Sequence, residues 1–133
     1  MDSSYRKLLI WTLVSSLLVI VGMGHGIAPI AMTEVLMFKN LDFRFSFKTA
    51  PEAVVMTSSL IFLVGQIFLL MYIIRKKSVL LWVSLLILWF GMFVLIRGEG
   101  GAMLVFGLPF VILSIFVFVI SIRELRIVNE NDE

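Results

Sequence analysis

Four long stretches nearly free of charge make up most of this chain, and they restrict its fold class more than any other feature. Leu8–Pro29, Pro51–Ile74, Ser78–Ile96 and Ala102–Ile122 contain only Glu52 among the acidic and basic residues, together with the single histidine, His25. Apolar runs of about 18 residues or more are long enough to cross the roughly 30 Å hydrocarbon layer as helices, at 1.5 Å per residue. Composition agrees: 61% of the chain is hydrophobic, 15% is charged, and the mean hydropathy is +1.11. Soluble domains average roughly 45–50% apolar and about 25% charged, and a chain this short leaves much of its area exposed. Isolated strands leave backbone groups unpaired in lipid. The expected fold is therefore an all-α membrane protein, one domain of four transmembrane helices at 8–29, 51–74, 78–96 and 102–122, with an outer loop over 31–50.

The ends carry punctuation. Pro51 suits a first helical turn, with Thr49 or Ala50 as cap. Arg75-Lys76-Lys77 closes the second span, and Gly98, Gly100 and Gly101 make the next tight turn, so spans two to four run as antiparallel neighbours. Arg6, Lys7, Arg75, Lys76, Lys77, Arg123 and Arg126 fall on one side, and Lys39, Arg44, Lys48 and Arg97 on the other. The larger basic group faces the cytoplasm, which puts both termini there. Arg6-Lys7 before an apolar run also fits a signal peptide, but the run is long, and Ala28 and Ala31 are mis-spaced for cleavage around Pro29. The net charge of +2 comes without a dense basic patch outside the 75–77 turn, which excludes a nucleic-acid partner. The chain has no cysteine, and so no disulfide or thiolate metal site.

Small residues recur one heptad apart in every span. Ser15, Gly22 and Pro29 do so in the first, Ser58 and Gly65 in the second, Ser84 and Gly91 in the third, and Gly107, Ser114 and Ser121 in the fourth. Seven residues is two turns, so each set forms a stripe along which backbones can approach closely. Gly22 and Gly26 add a GxxxG pair. The stripes predict the inner faces of a left-handed four-helix bundle. Trp82 and Trp89, also a heptad apart and about 200° from Ser84 and Gly91, are expected on the lipid side. Pro109 removes a backbone hydrogen bond inside the fourth span and is expected to bend it.

In the outer loop, Leu41, Phe43, Phe45 and Phe47 alternate with Asp42, Arg44, Ser46 and Lys48, a strand-like ribbon with one greasy face. It reads as an interfacial anchor, a partner-binding edge or a lid. Ile30–Phe38 before it reads as a short interfacial helix.

No Asp, Glu, Lys or Arg stands in the middle of a span, which counts against proton-coupled antiport through a carboxylate at membrane depth. Gln66 is the deepest polar side chain, about 13 Å from the cytoplasmic end of its helix, with Ser59 one heptad earlier on the same face. His25 would share a helix face with Gly22, Gly26 and Pro29. A lone His lacks the company of a metal site. His25, Glu34, Glu52, Arg97 and Glu99 share the outer membrane level, and with Gln66 they are the ligand-binding candidates. No nucleophile–base pair, phosphate-cradling loop or metal constellation is present, so no catalytic residue, metal or cofactor is assigned.

Gly22-Met23-Gly24-His25-Gly26-Ile27-Ala28-Pro29, the Ser59–Leu70 stretch and Leu108-Pro109 with basic residues beyond resemble the DoxX-like group of small four-span membrane proteins. That group often carries Glu where Gln66 stands. The resemblance implies a fold more than a reaction, and some members are membrane subunits of quinone-linked oxidoreductases. The leading expectation is a non-enzymatic subunit or accessory protein of a membrane complex, paired with another membrane protein or a second copy. A quinone- or lipid-binding subunit of a redox enzyme, using the pocket around His25 and Glu52, is the alternative. A small dimeric transporter comes third.

Overall fold

The computed structural model describes residues 3–23, 26–40, 51–99 and 102–131. Within them the chain forms α1 (Ser3–Leu17), β1 (Ile20–Met23), β2 (Gly26–Pro29), α2 (Ile30–Asn40), α3 (Pro51–Arg75), α4 (Ser78–Glu99) and α5 (Ala102–Asn131). Among the described residues the fold is all-helical apart from one short antiparallel hairpin. Helices α3, α4 and α5 occupy the second, third and fourth apolar runs, and α5 continues unbroken through Pro109. The 41–50 ribbon lies outside the described residues.

The first apolar run is not one helix. It stops at Leu17, and β1 pairs with β2 in the register Ile20↔Pro29, Val21↔Ala28, Gly22↔Ile27, Met23↔Gly26. The cause is local. Val19, Ile20 and Val21 are β-branched and favour extended backbone, while three glycines in 22–26 weaken a helix by about 1 kcal/mol each. Pro29 also holds Ala28 away from the helical region. Gly22 and Gly26 therefore sit on facing strands, and the helix face expected for them with His25 does not form. The Ile30 N–H bonds the Val19 carbonyl at 2.7 Å, so α2 starts beside the point where α1 ends. The expected short helix after Pro29 is present as α2.

Helices α3 and α4 form the most extensive pairing. Their turn uses Lys76 at φ 55°, whose N–H bonds the Tyr72 carbonyl at 2.8 Å, a left-handed cap on α3. Along the seam, a Cβ on Gly65 would stand 2.7 Å from Leu88 Cγ, and one on Gly91 would stand 2.9 Å from Phe62 Cδ2. The close approach exists because neither residue has a side chain. Ser58, Ser84, Gly107, Ser114 and Ser121 are buried as well, whereas Ser15 is only half-buried. Each buried serine of these stripes donates to a carbonyl of its own helix, such as Ser58 to Val55 at 2.9 Å and Ser84 to Leu81 at 3.0 Å. The hydroxyls are thus satisfied within a dry seam.

Helix α5 closes the bundle on two sides. Tyr5 of α1 donates to Ser121 Oγ at 2.8 Å, since Ser121 gives its own proton to the Val117 carbonyl. Trp89 Nε1 donates to Ser114 Oγ at 3.0 Å. Trp82 and Trp89 each pack on Phe118 with ring centroids 5.3 Å apart. The tryptophans are therefore half-buried contacts to α5, not an outer lipid face, because α5 lies on that side of α4 and the indole N–H finds its acceptor there. Phe62 and Phe110, both fully buried, meet edge to face at the centre.

Candidate functional site

Large apolar side chains cover the outside as well as filling the core, and small polar side chains are buried among the core residues. Thr12, Ser16, Thr33, Glu34, Thr57, Ser58, Ser59, Gln66, Ser84 and Ser114 are buried, while Ile67, Leu70, Ile74, Leu86, Phe90, Phe93, Ile115 and Phe116 are exposed. The short helix α2 shows both sides within about two turns. Thr33 and Glu34 point inward at 4% and 5% exposure, while Met32, Val35 and Phe38 point outward at 54%, 67% and 59%.

That orientation brings the polar side of α2 onto the polar face of α3. Thr33 Oγ1 donates to the Ile30 carbonyl at 2.6 Å, and Ser59 Oγ, 2.5 Å away, donates to Thr33. Ser59 and Gln66 lie two turns apart on one α3 face, so the next polar group below Ser59 is the Gln66 amide, and Glu34 reaches it. The amide lies against the Glu34 carboxyl closely enough to favour its charge, yet Glu34 Oε1 and Gln66 Nε2 are each buried without a hydrogen-bond partner. Burial pushes the Glu34 carboxyl up from 4.5 to about 7, and the amide only partly opposes this. Chemically, the pair offers an acceptor or acid beside an amide donor, held under a helix and screened from water.

The rim expected of His25, Glu34, Glu52, Arg97 and Glu99 falls largely on side chains outside the described residues. Glu34 turns inward to Gln66, whereas Arg97 is exposed at the end of α4. The backbones at Glu52 and Glu99 belong to α3 and α4, but their side chains lie outside the described part, as does His25 altogether. Glu34 stands outside the long helices, whose middles carry no charged residue, but α2 brings its carboxyl against the Gln66 amide. The sequence hint was available in Thr33-Glu34 flanked by Met32, Val35 and Phe38 at helical spacing. It was masked because polar residues in a loop are ordinarily assigned to solvent. Among the described residues no group of three or more His, Cys, Asp or Glu could hold a metal ion.

A second feature is an apolar cleft of about 420 Å³ on the outside of the α3–α4 pair, lined by Leu60, Ile61, Val64, Leu86, Ile87 and Phe90. Two helices, Ala53–Arg75 and Ser78–Arg97, are long and apolar enough to cross a membrane, with mean hydropathy 2.2 and 2.7 over their most apolar windows, and Gly107–Arg123 is a shorter apolar helix. Comparison of the chain with protein-family models, curated proteins and solved structures finds no match.

Proposed function

We propose that the chain is a multi-pass membrane protein, spanning with α3, α4 and α5 while α1 and the segments after it complete the first crossing, with both termini cytoplasmic, and that it serves as a non-enzymatic subunit of a membrane complex. The observation that carries the reading is the apolar outer surface: branched and aromatic side chains such as Ile67, Ile74, Leu86, Phe90, Phe93 and Phe116 lie outside, while hydroxyls, an amide and a carboxyl are buried with the apolar core. Water tolerates few large apolar patches, whereas acyl chains favour them and penalise exposed polar groups. Close small-residue seams fit the same solvent, since lipid offers no hydrophobic drive and helices associate through contact at short range. The left-handed bundle, and the likeness to the DoxX-like group, remain part of this proposal.

Because the chain has no native cysteine, single introduced thiols report topology cleanly. Glu99→Cys is expected to react with an impermeant reagent on intact cells, and Lys77→Cys only after permeabilisation. The reverse pattern, or extraction of the protein without detergent, refutes the membrane reading. Purification in mild detergent tests the subunit role, with a copurifying protein expected and a partner-free monomer counting against it.

The Glu34–Gln66 pair favours a second reading, in which the subunit binds a lipid-soluble polar molecule such as a quinone or a lipid. Such a molecule would be retained through purification and lost in Gln66→Ala.

A further inference from the structure

We propose that Glu34 is an internal proton-binding site whose deprotonation releases α2 from α3. The two helices are joined through polar groups: Thr33 to Ser59, and Glu34 against Gln66. The first link is a closed chain of hydroxyls ending on a carbonyl. The second is open, with one acceptor and one donor buried and unpartnered. A neutral carboxyl is tolerated in such a place, while a carboxylate with a bare oxygen needs water or a cation.

No cation is at hand among the described residues. The elements packed against α2 are α3, β2 and α1. β2 has no titratable side chain. On α1, Arg6 and Lys7 are exposed, and Tyr5 bonds Ser121; these groups lie near the opposite end of α1 from the hairpin. On α3, Tyr72 and the exposed Arg75 lie beyond Gln66 toward the turn, and on α2 itself Lys39 is exposed. Burial raises the Glu34 carboxyl toward neutrality, so protonation changes near neutral pH, where ordinary carboxyls are already ionised. The ionised group gains solvation only if water enters beneath α2 or if α2 lifts. Either event uncovers Ser59 and Gln66. The inference rests on the membrane reading in one respect: α2 lies at the membrane–water level, where water reaches the carboxyl once α2 lifts.

The test uses the full chain carrying Ser59→Cys, with the labelling rate normalised to the same thiol in denaturant. The expected result is a rise on the order of 50-fold between about pH 5 and about pH 8, abolished by Glu34→Gln. A flat normalised rate, or a rise that persists in Glu34→Gln, overturns the proposal. An infrared measurement on the wild-type chain does not depend on any variant folding. Near pH 6, where exposed carboxyls are ionised, one protonated-carboxyl C=O band is expected, vanishing on further alkalinisation. Absence of that band overturns the proposal as well.

Discussion

Replacing Gly65 with alanine tests the packing seam directly. The added methyl would stand 2.7 Å from Leu88 Cγ, 2.8 Å from Cδ2 and 3.2 Å from the Leu88 backbone nitrogen. Leu88 is fully buried, so its side chain cannot swing into open space, and its backbone nitrogen is fixed in α4. Accommodation requires α3 and α4 to separate by several tenths of an ångström along their main interface. Overpacking of this kind costs about 1–3 kcal/mol, and the helix propensity gained on replacing glycine returns about 1 kcal/mol. The net expectation is a loss of about 1–2 kcal/mol. Gly91→Ala meets the Phe62 ring, itself held edge-on against Phe110, and should behave similarly. Gly107→Ala meets only the Met92 Cε methyl and sulfur, the far end of a flexible chain, and should be close to neutral. Equilibrium unfolding in mixed micelles reads all three. A Gly107→Ala variant less stable than Gly65→Ala, or a Gly65→Ala variant as stable as wild type, refutes the claim that this seam sets the α3–α4 distance.

Four other outcomes are expected. Phe62→Ala, at the fully buried centre, should cost about 3–5 kcal/mol in the same unfolding assay, and Phe62→Leu less. Trp89→Phe removes the bond to Ser114 and should cost about 1 kcal/mol, with a change in near-ultraviolet circular dichroism. Lys76→Gly relieves the left-handed backbone and should stabilise by about 1 kcal/mol; a destabilised variant would contradict that cap. For Glu34, the buried carboxyl binds its proton more tightly than in an unfolded chain. Stability is therefore greatest below about pH 4.5, falls as pH rises, and levels off above about pH 7, a difference of about 3 kcal/mol. Thermal unfolding across this window should show the fall in wild type and lose it in Glu34→Gln.

Much of the helical architecture was legible because its cause is local. The α3–α4 turn follows from Arg75-Lys76-Lys77 interrupting apolar sequence, and the start of α3 from Pro51. The heptad spacing of Ser58 with Gly65 and of Ser84 with Gly91 placed these residues on buried faces without knowledge of the partner, since two turns of helix return a side chain to the same side. The first apolar run misled because hydropathy counts Val19, Ile20 and Val21 as span residues and ignores their preference for extended backbone beside clustered glycines. Trp82 and Trp89 misled because bulk opposite a small-residue stripe faces lipid only when no third helix is there. The position of α5 is a long-range matter that spacing within α4 cannot express.

Glu34 shows the same division most clearly. The chain dictated long apolar helices, a tight basic turn, and hydroxyls spaced to meet at seams, because each depends on residues within a turn or two of one another. Folding back through the hairpin settled where Thr33 and Glu34 would go: Ile30 is anchored on Val19, and α2 then lies along α3 with its carboxyl at Gln66. That pairing joins residues far apart in the chain, and its energetics depend on burial and unpartnered atoms. Those are properties of the packed interior, which no local pattern of residues encodes.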